Sequence, residues 1–320
     1  MKIWLLILAV VAVLLLLLEV GLRLLFGFGN PLIYIADEQI GYLLAPNQRT
    51  RRFGNRIEIN QYSMRSMPIA AKPEPSTLRV LLLGDSIANG GWWTAQDDII
   101  SEMISRHLAS SLDNTKFKRV EVLNASANSW GPRNELAYLR KFGTFEAAVV
   151  VLLLNTDDLF GSLPTSLPVG RDPNYPDRKP ALALIELANR YLIRSKPAPE
   201  LATANSEEGE LVGRNLAAIE QIKAIAIANH SYFLLAMTPL RREIGSPGPR
   251  DYELKERQRL TEFTHSQQIF YIDFLPSFNL CEQPEGLYRD HIHLSPQGNQ
   301  LVSLKIGQQI LDWVIGNFKF

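Results

Sequence analysis

Two short stretches lie far apart in the sequence and carry residue types that could do acyl-transfer chemistry together. Gly84-Asp85-Ser86 closes an apolar run, and Asp290-His291-Ile292-His293 stands near the C-terminus, directly before Leu294-Ser295-Pro296. A serine where a strand ends and a helix begins is open to substrate, and backbone N–H groups beside it can face a developing negative charge. Gly-Asp-Ser by itself is also an ordinary turn. The second stretch supplies a partner, because an aspartate three residues before a histidine on a loop can orient the imidazole and stabilise its cationic form. The other ring nitrogen is then left to take the serine proton. On this reading Ser86 is the nucleophile, His293 the base and Asp290 its orienter. His291 adjoins Asp290, a spacing that does not fit the orienting role, and His107, His230 and His265 lie in or beside amphipathic helices and read as structural.

These residues need a scaffold that brings the ends of several strands together. Residues 79–84 read as a strand, Arg79 followed by a continuous apolar run ending in glycine, as expected of a strand buried on both faces of a parallel sheet. Further strands are predicted over 120–123, 147–154, 232–237 and 269–274, with helices over 99–108, 133–142, 211–228, 252–268 and 296–317. Such alternation predicts an α/β fold, a three-layer αβα sandwich around a five-stranded parallel sheet, with ligands bound outside the carboxyl ends of the strands. Residues 160–180 are dense in Pro, Gly and Asp. Together with a helical stretch over 181–194 and a polar break to 208, they read as an insertion at about 160–208, a lid over the active-site end of the sheet.

At these positions the chain resembles the GDSL/SGNH hydrolase family. Its first block is matched by Val80-Leu81-Leu82-Leu83-Gly84-Asp85-Ser86 and its last by Asp290 through His293, and the resemblance extends over about residues 79–315. Gly41-Tyr42-Leu43-Leu44-Ala45-Pro46-Asn47, with Ile59-Asn60 and Met64-Arg65, looks like the segment that precedes the domain in many anchored members. The resemblance implies the flavodoxin-like SGNH fold, no cofactor or metal, and an acyl-enzyme formed without the sharp nucleophile elbow, for which Gly-x-Ser-x-Gly is indeed lacking here. It also implies an oxyanion hole built around Ser86, Ser129, Asp157 and Asn155. The second block reads Asn124-Ala125-Ser126-Ala127-Asn128-Ser129-Trp130-Gly131, with Ser129 where the family usually places a glycine that donates its N–H. A serine can donate there if its backbone is not held at positive φ. The third block reads Asn155-Thr156-Asp157-Asp158 where Gly-x-Asn-Asp is expected, so Asp157 replaces an amide donor. An ionised carboxylate would repel the charge, which leaves Asn155 or a protonated Asp157 as donor. Asp158 reads as the partner that holds this turn, and Trp92, Trp93 and Trp130 as candidate pocket walls.

The function so implied is a serine-dependent ester hydrolase acting through an acyl-enzyme on a carboxylic ester, with O-acetyl groups of glycans or lipid esters as substrate classes. An O-acyltransferase differs only in the acceptor. The altered second and third blocks also fit a weak or inactive polysaccharide-binding protein, and a metal-dependent phosphoesterase would use Asp85, Asp157, His291 and His293.

With 33 basic and 33 acidic residues there is no net charge to favour a phosphate backbone, so no nucleic-acid partner is expected. The single cysteine, Cys281, cannot form an internal disulfide. Every residue from 3 to 18 is apolar, and after Glu19 the stretch to 28 is interrupted only by Arg23. That is long enough to span a bilayer, which takes roughly 20 residues. No small-x-small site follows, so an uncleaved anchor over 1–28 is expected in place of its rival, a cleaved signal peptide. Residues 29–77 then form a linker or accessory segment and 78–320 the hydrolase-like domain. Lys2 favours a cytoplasmic N-terminus whereas Arg23, Arg49, Arg51 and Arg52 oppose it, and the expectation is a single-pass membrane protein with an extracytoplasmic catalytic domain.

Overall fold

The computed structural model describes residues 2–112, 115–192 and 210–318. The last part of the expected insertion, 193–208, lies outside them. Five parallel strands form the sheet in the order β6-β5-β7-β8-β9: β5 (Thr77–Gly84), β6 (Arg119–Ser126), β7 (Val149–Asn155), β8 (Tyr232–Thr238) and β9 (Phe270–Asp273). From β5 the chain goes to β6 on one side and then to β7 on the other. The crevice at the carboxyl end of β5 is therefore the topological switch point, where this architecture binds ligands.

Alternate residues of the strands face opposite layers, which is why the sequence runs apolar without interruption. Leu81, Leu83, Val150, Leu152 and Leu235 pack with helices α4 (Pro132–Phe142) and α6 (Leu211–Ala228). Val80, Leu82, Val151, Leu153 and Leu234 pack with α3 (Ile100–Ala109) and α8 (Pro296–Phe318). Helix α7 (Asp251–Ser266) covers the β9 end of the first layer. The expected strands and helices of the sheet layers are all present, with ends moved by at most three residues.

Residues after the N-terminal helix do more than connect. They form two antiparallel hairpins, β1 (Tyr34–Asp37) with β2 (Gly41–Leu44) and β3 (Gln48–Arg52) with β4 (Asn55–Ile59). Leu44, Ile57 and Met64 are buried in the same core as the first face of the sheet. Arg65 is fully buried and donates to the carbonyls of Asn89, Gly91 and Thr94, so this segment clamps the loop that follows Ser86.

Helix α1 (Lys2–Gly21) continues as a π-helical turn to Phe26. Within Lys2–Phe26 the mean hydropathy over 18 residues reaches 3.1, and among the described residues it is the one helix long and apolar enough to cross a membrane. Its end is docked on the domain. Glu19 is buried and accepts the N–H groups of Ala183 (2.8 Å) and Leu184 (2.9 Å), which open helix α5 (Ala183–Leu187) of the insertion.

Candidate active site

The register aligns Gly84 with Ser126 of β6 and Leu153 of β7, so three strand ends meet at one level. A Cβ on Gly84 would stand 2.8 Å from the Leu153 carbonyl, which is why a glycine closes the strand. Asp85 then accepts the N–H of Ile87 (2.8 Å), caps the four-residue helix α2 (Ser86–Asn89), and leaves Ser86 as its first residue.

Ser86 Oγ lies 3.0 Å from His293 Nε2, and His293 Nδ1 lies 2.8 Å from Asp290 Oδ2. Asp290 Oδ1 accepts the N–H groups of Ile292 (3.0 Å) and His293 (2.8 Å), so the carboxylate shapes the loop that carries its histidine. Partial burial alone would raise the Asp290 carboxyl. The N–H groups of His293 and Ile292 and the imidazole outweigh it and hold the group below its ordinary value. His291 points away, with 87 % of its side chain exposed.

Beneath Ser86 lies a knot of carboxyl groups. The amide nitrogen of Asn155 donates to Asp85 (2.9 Å) and Asp158 (2.9 Å), while its oxygen accepts the N–H of Asp157 (2.7 Å). Asp158 also accepts the N–H of Asn155 (2.7 Å), which closes the turn. Burial, with the charges of Asp85 and Glu135, pushes Asp158 well above the ordinary carboxylate range. Burial likewise lifts Glu135, whose two carboxyl oxygens are buried with no hydrogen-bond partner.

Three expectations change here. Asn155 has its amide turned onto two carboxyl groups, so it is not the free oxyanion donor expected of it. Asp157 is exposed on a cleft beside Ser86 instead of being enclosed in an apolar pocket, although partial burial, opposed by Arg242, still raises its carboxyl. Ser129 holds φ +58°, the left-handed conformation that glycine favours, so the serine keeps its N–H at the very backbone geometry expected to exclude it, and its Oγ accepts the Tyr175 hydroxyl at 2.8 Å. The four residues of the metal-dependent reading border one cleft without forming a ligand set: Asp85 and His293 are engaged as described, and no group of three or more His, Cys, Asp or Glu among the described residues could hold a metal.

Two clefts meet at Ser86, Ser129, Asp172, Tyr175 and His293. One, of about 450 Å³, is lined by Trp92, Trp93, Leu32, Tyr34 and Arg52 among others. The Trp93 ring lies 4.4 Å from the His293 ring, and Arg289 stands over both tryptophans. The other cleft, of about 700 Å³, is bordered by Asp157, Asn134, Thr165 and His291. Trp130 borders it, yet its ring is 1 % exposed and its indole N–H donates to the Tyr42 carbonyl (3.1 Å), so it is a core residue. Tyr34, Arg52 and Tyr175 had no sequence signal, since they reach the site from the hairpins and the insertion.

A family model for GDSL-like lipases/acylhydrolases matches residues 82–301. Among solved structures, a lipase/acylhydrolase from Enterococcus faecalis is 17 % identical, with 75 % of this chain and 97 % of that chain covered and a TM-score of 0.44. The acetylxylan esterase Axe2 from Geobacillus stearothermophilus is 12 % identical, with 76 % and 96 % covered and a TM-score of 0.49. No curated protein matches the chain.

Proposed function

The chain belongs to the GDSL-like lipase/acylhydrolase family, which acts on ester bonds, and from that premise we propose that it is a serine esterase with Ser86 as nucleophile, His293 as general base and Asp290 as orienting carboxylate. The observation that carries this reading is the unbroken chain of contacts, 3.0 Å from Ser86 Oγ to His293 Nε2 and 2.8 Å from His293 Nδ1 to Asp290. Ser86 Oγ attacks the ester carbonyl carbon while its proton passes to Nε2. The negative charge then grows on the former carbonyl oxygen, where the N–H groups of Ser86 and Ser129 are the proposed donors. The carbonyl–alkoxy bond breaks as His293 returns the proton to the departing alcohol. Water, deprotonated by His293, releases the acid and restores Ser86.

The wide second cleft favours one variation, in which a sugar hydroxyl in place of water takes the acyl group and the protein acts as an O-acyltransferase. Glycan O-acetyl and lipid acyl esters are the substrate classes we propose. We assign residues 1–28 as an uncleaved anchor, 29–77 as an accessory segment and 78–320 as the hydrolase domain, on the extracytoplasmic side. Retention of the anchor is supported by its packing, because Leu22 and Phe28 are buried with Ala183, and the Gly29 N–H donates to Glu186 (2.6 Å). A fluorophosphonate probe should label the wild type at Ser86 and leave Ser86→Ala unlabelled. Labelling that persists in the variant, or its absence from the wild type, would overturn the assignment.

A further inference from the structure

The narrower cleft begins where the anchor ends. Asn30, Pro31 and Leu32 line it, only a few residues beyond the apolar stretch Lys2–Phe26. A row of aromatic rings connects the two ends of that path. Phe26 lies 5.8 Å from Phe53, Phe53 5.1 Å from Trp92, Trp92 5.7 Å from Trp93, and Trp93 4.4 Å from His293, each measured between ring centroids. Phe26 and Phe53 are both exposed.

The attitude of this row to the membrane is set by the contact at Glu19. The insertion meets the anchor there, seven residues before Phe26, or roughly 10 Å at 1.5 Å per residue. Arg23 secures the contact, donating to Glu19 (2.6 Å) and to the Ala181 carbonyl (2.9 Å). A span beginning at Lys2 leaves the hydrocarbon layer after roughly 20 residues, so Glu19 and the segment capped on it stand at the membrane boundary. That segment exposes Leu182, Ile185, Tyr191 and Leu192, the last to 77 %, beside the exposed Leu24 and Leu25. Apolar and aromatic side chains clustered at this depth suit the interface between headgroups and acyl chains.

We propose that this face lies on the bilayer that holds the anchor, and that the ester reaches Ser86 from the membrane along the row Phe26, Phe53, Trp92 and Trp93. The substrate class is then an amphiphilic ester resident in that bilayer, its apolar part against the rings and its polar part in the wider cleft. This rests on the anchored serine-esterase reading above.

The full-length protein in phosphatidylcholine vesicles tests it, with p-nitrophenyl palmitate as the membrane ester and p-nitrophenyl acetate as the soluble one. Palmitate in the protein's own vesicles should turn over at least ~10-fold faster than palmitate in separate vesicles. Phe53→Ser should lower the palmitate-to-acetate ratio of kcat/KM by ~10-fold, whereas Leu280→Ser, an exposed leucine away from the row, should leave it unchanged. Acetate turnover with no preference for co-resident palmitate, or with a ratio that ignores Phe53→Ser, would overturn this inference alone. Failure on both esters with Ser86 unlabelled would overturn the serine reading and this inference with it.

Discussion

Replacing Asp290 by asparagine tests whether that carboxylate sets the tautomer of His293. Its Oδ1 accepts two backbone N–H groups, from Ile292 at 3.0 Å and His293 at 2.8 Å, while Oδ2 faces His293 Nδ1 at 2.8 Å. An asparagine there must keep its oxygen on the two N–H donors. Turning the amide over would forfeit two hydrogen bonds worth about 1 kcal/mol each, so the unflipped form leads by about 2 kcal/mol or more, roughly a 30-fold preference. The NH2 group then points at Nδ1 and donates to it. Nδ1 can only accept, its proton moves to Nε2, and Nε2 presents a donor to Ser86 Oγ at 3.0 Å where a base is needed. The cationic imidazole also loses its negative partner. Together these should lower kcat for p-nitrophenyl acetate by ~10³–10⁴-fold, the scale such a swap has in serine hydrolases. Both backbone hydrogen bonds survive, so a circular-dichroism melt should move by only a few degrees. Asp290→Ala should lose the rate and melt lower still, because it strips the acceptor from both N–H groups. A kcat within ~10-fold of wild type for Asp290→Asn, in protein that melts normally, would refute the argument.

An ionised Asp157 facing the ester would repel the oxyanion, so Asp157→Asn should raise kcat by ~10-fold at neutral pH. The Asp157 carboxyl is raised by partial burial, and below its pKa the wild type loses the repulsion. The mutant-to-wild-type ratio should therefore grow with pH in paired pH–rate profiles, and loss of activity at every pH would refute the idea. Glu135 is buried without partners and its carboxyl is raised, so the folded state holds a proton that the unfolded state releases above about pH 4.3. The Glu135 contribution to stability should therefore fall by about 1.4 kcal/mol per pH unit from that point up to its folded pKa, and Glu135→Gln should make the slope shallower by that amount, leaving the part due to Asp158. Urea midpoints at pH 5, 7 and 9 measure it, and equal slopes in both proteins would refute it. His291→Ala should keep kcat within ~3-fold of wild type, because the ring is largely exposed and lies 3.9 Å from Asp290. An ester assay that shows a loss as large as in His293→Ala would move the base.

The sheet and its helices were legible because each is a local pattern. The strand residues 80–84 and 147–154 are apolar on both faces, and only a doubly covered parallel strand needs that. Ser86 and His293 were legible because strand-end serines and loop Asp-x-x-His stretches are rare enough in combination to point at each other. The hairpins were not. Gln48–Arg52 reads Gln-Arg-Thr-Arg-Arg, with no apolar residue to mark a strand, and it forms one through pairing with Asn55–Ile59. Arg65 is fully buried because three carbonyls of a loop some 25 residues later in the chain accept from it, a long-range fact that no local window contains.

The oxyanion region shows the same limit from the other side. Ser129 and Asp157 announce their departures from the usual residues, but their consequences depend on backbone and partners. The left-handed backbone at Ser129 persists without glycine, at a cost of about 1 kcal/mol. The Tyr175 hydroxyl at 2.8 Å offsets a similar amount, and Tyr175 comes from the insertion. Asn155 carries the amide that position 157 has lost, only two residues away, and is nevertheless turned inward. Asp85, fixed by its cap on α2, and Asp158, fixed by the turn, both need a donor, and Asn155 bridges them. Leaving two buried carboxyl groups without that donor would cost more than an oxyanion contact returns, since the penalty falls on the resting protein whereas the contact exists only in the transition state. The pattern of carboxyl groups therefore decides where the Asn155 amide points, and for that reason the proposed oxyanion donors are backbone N–H groups.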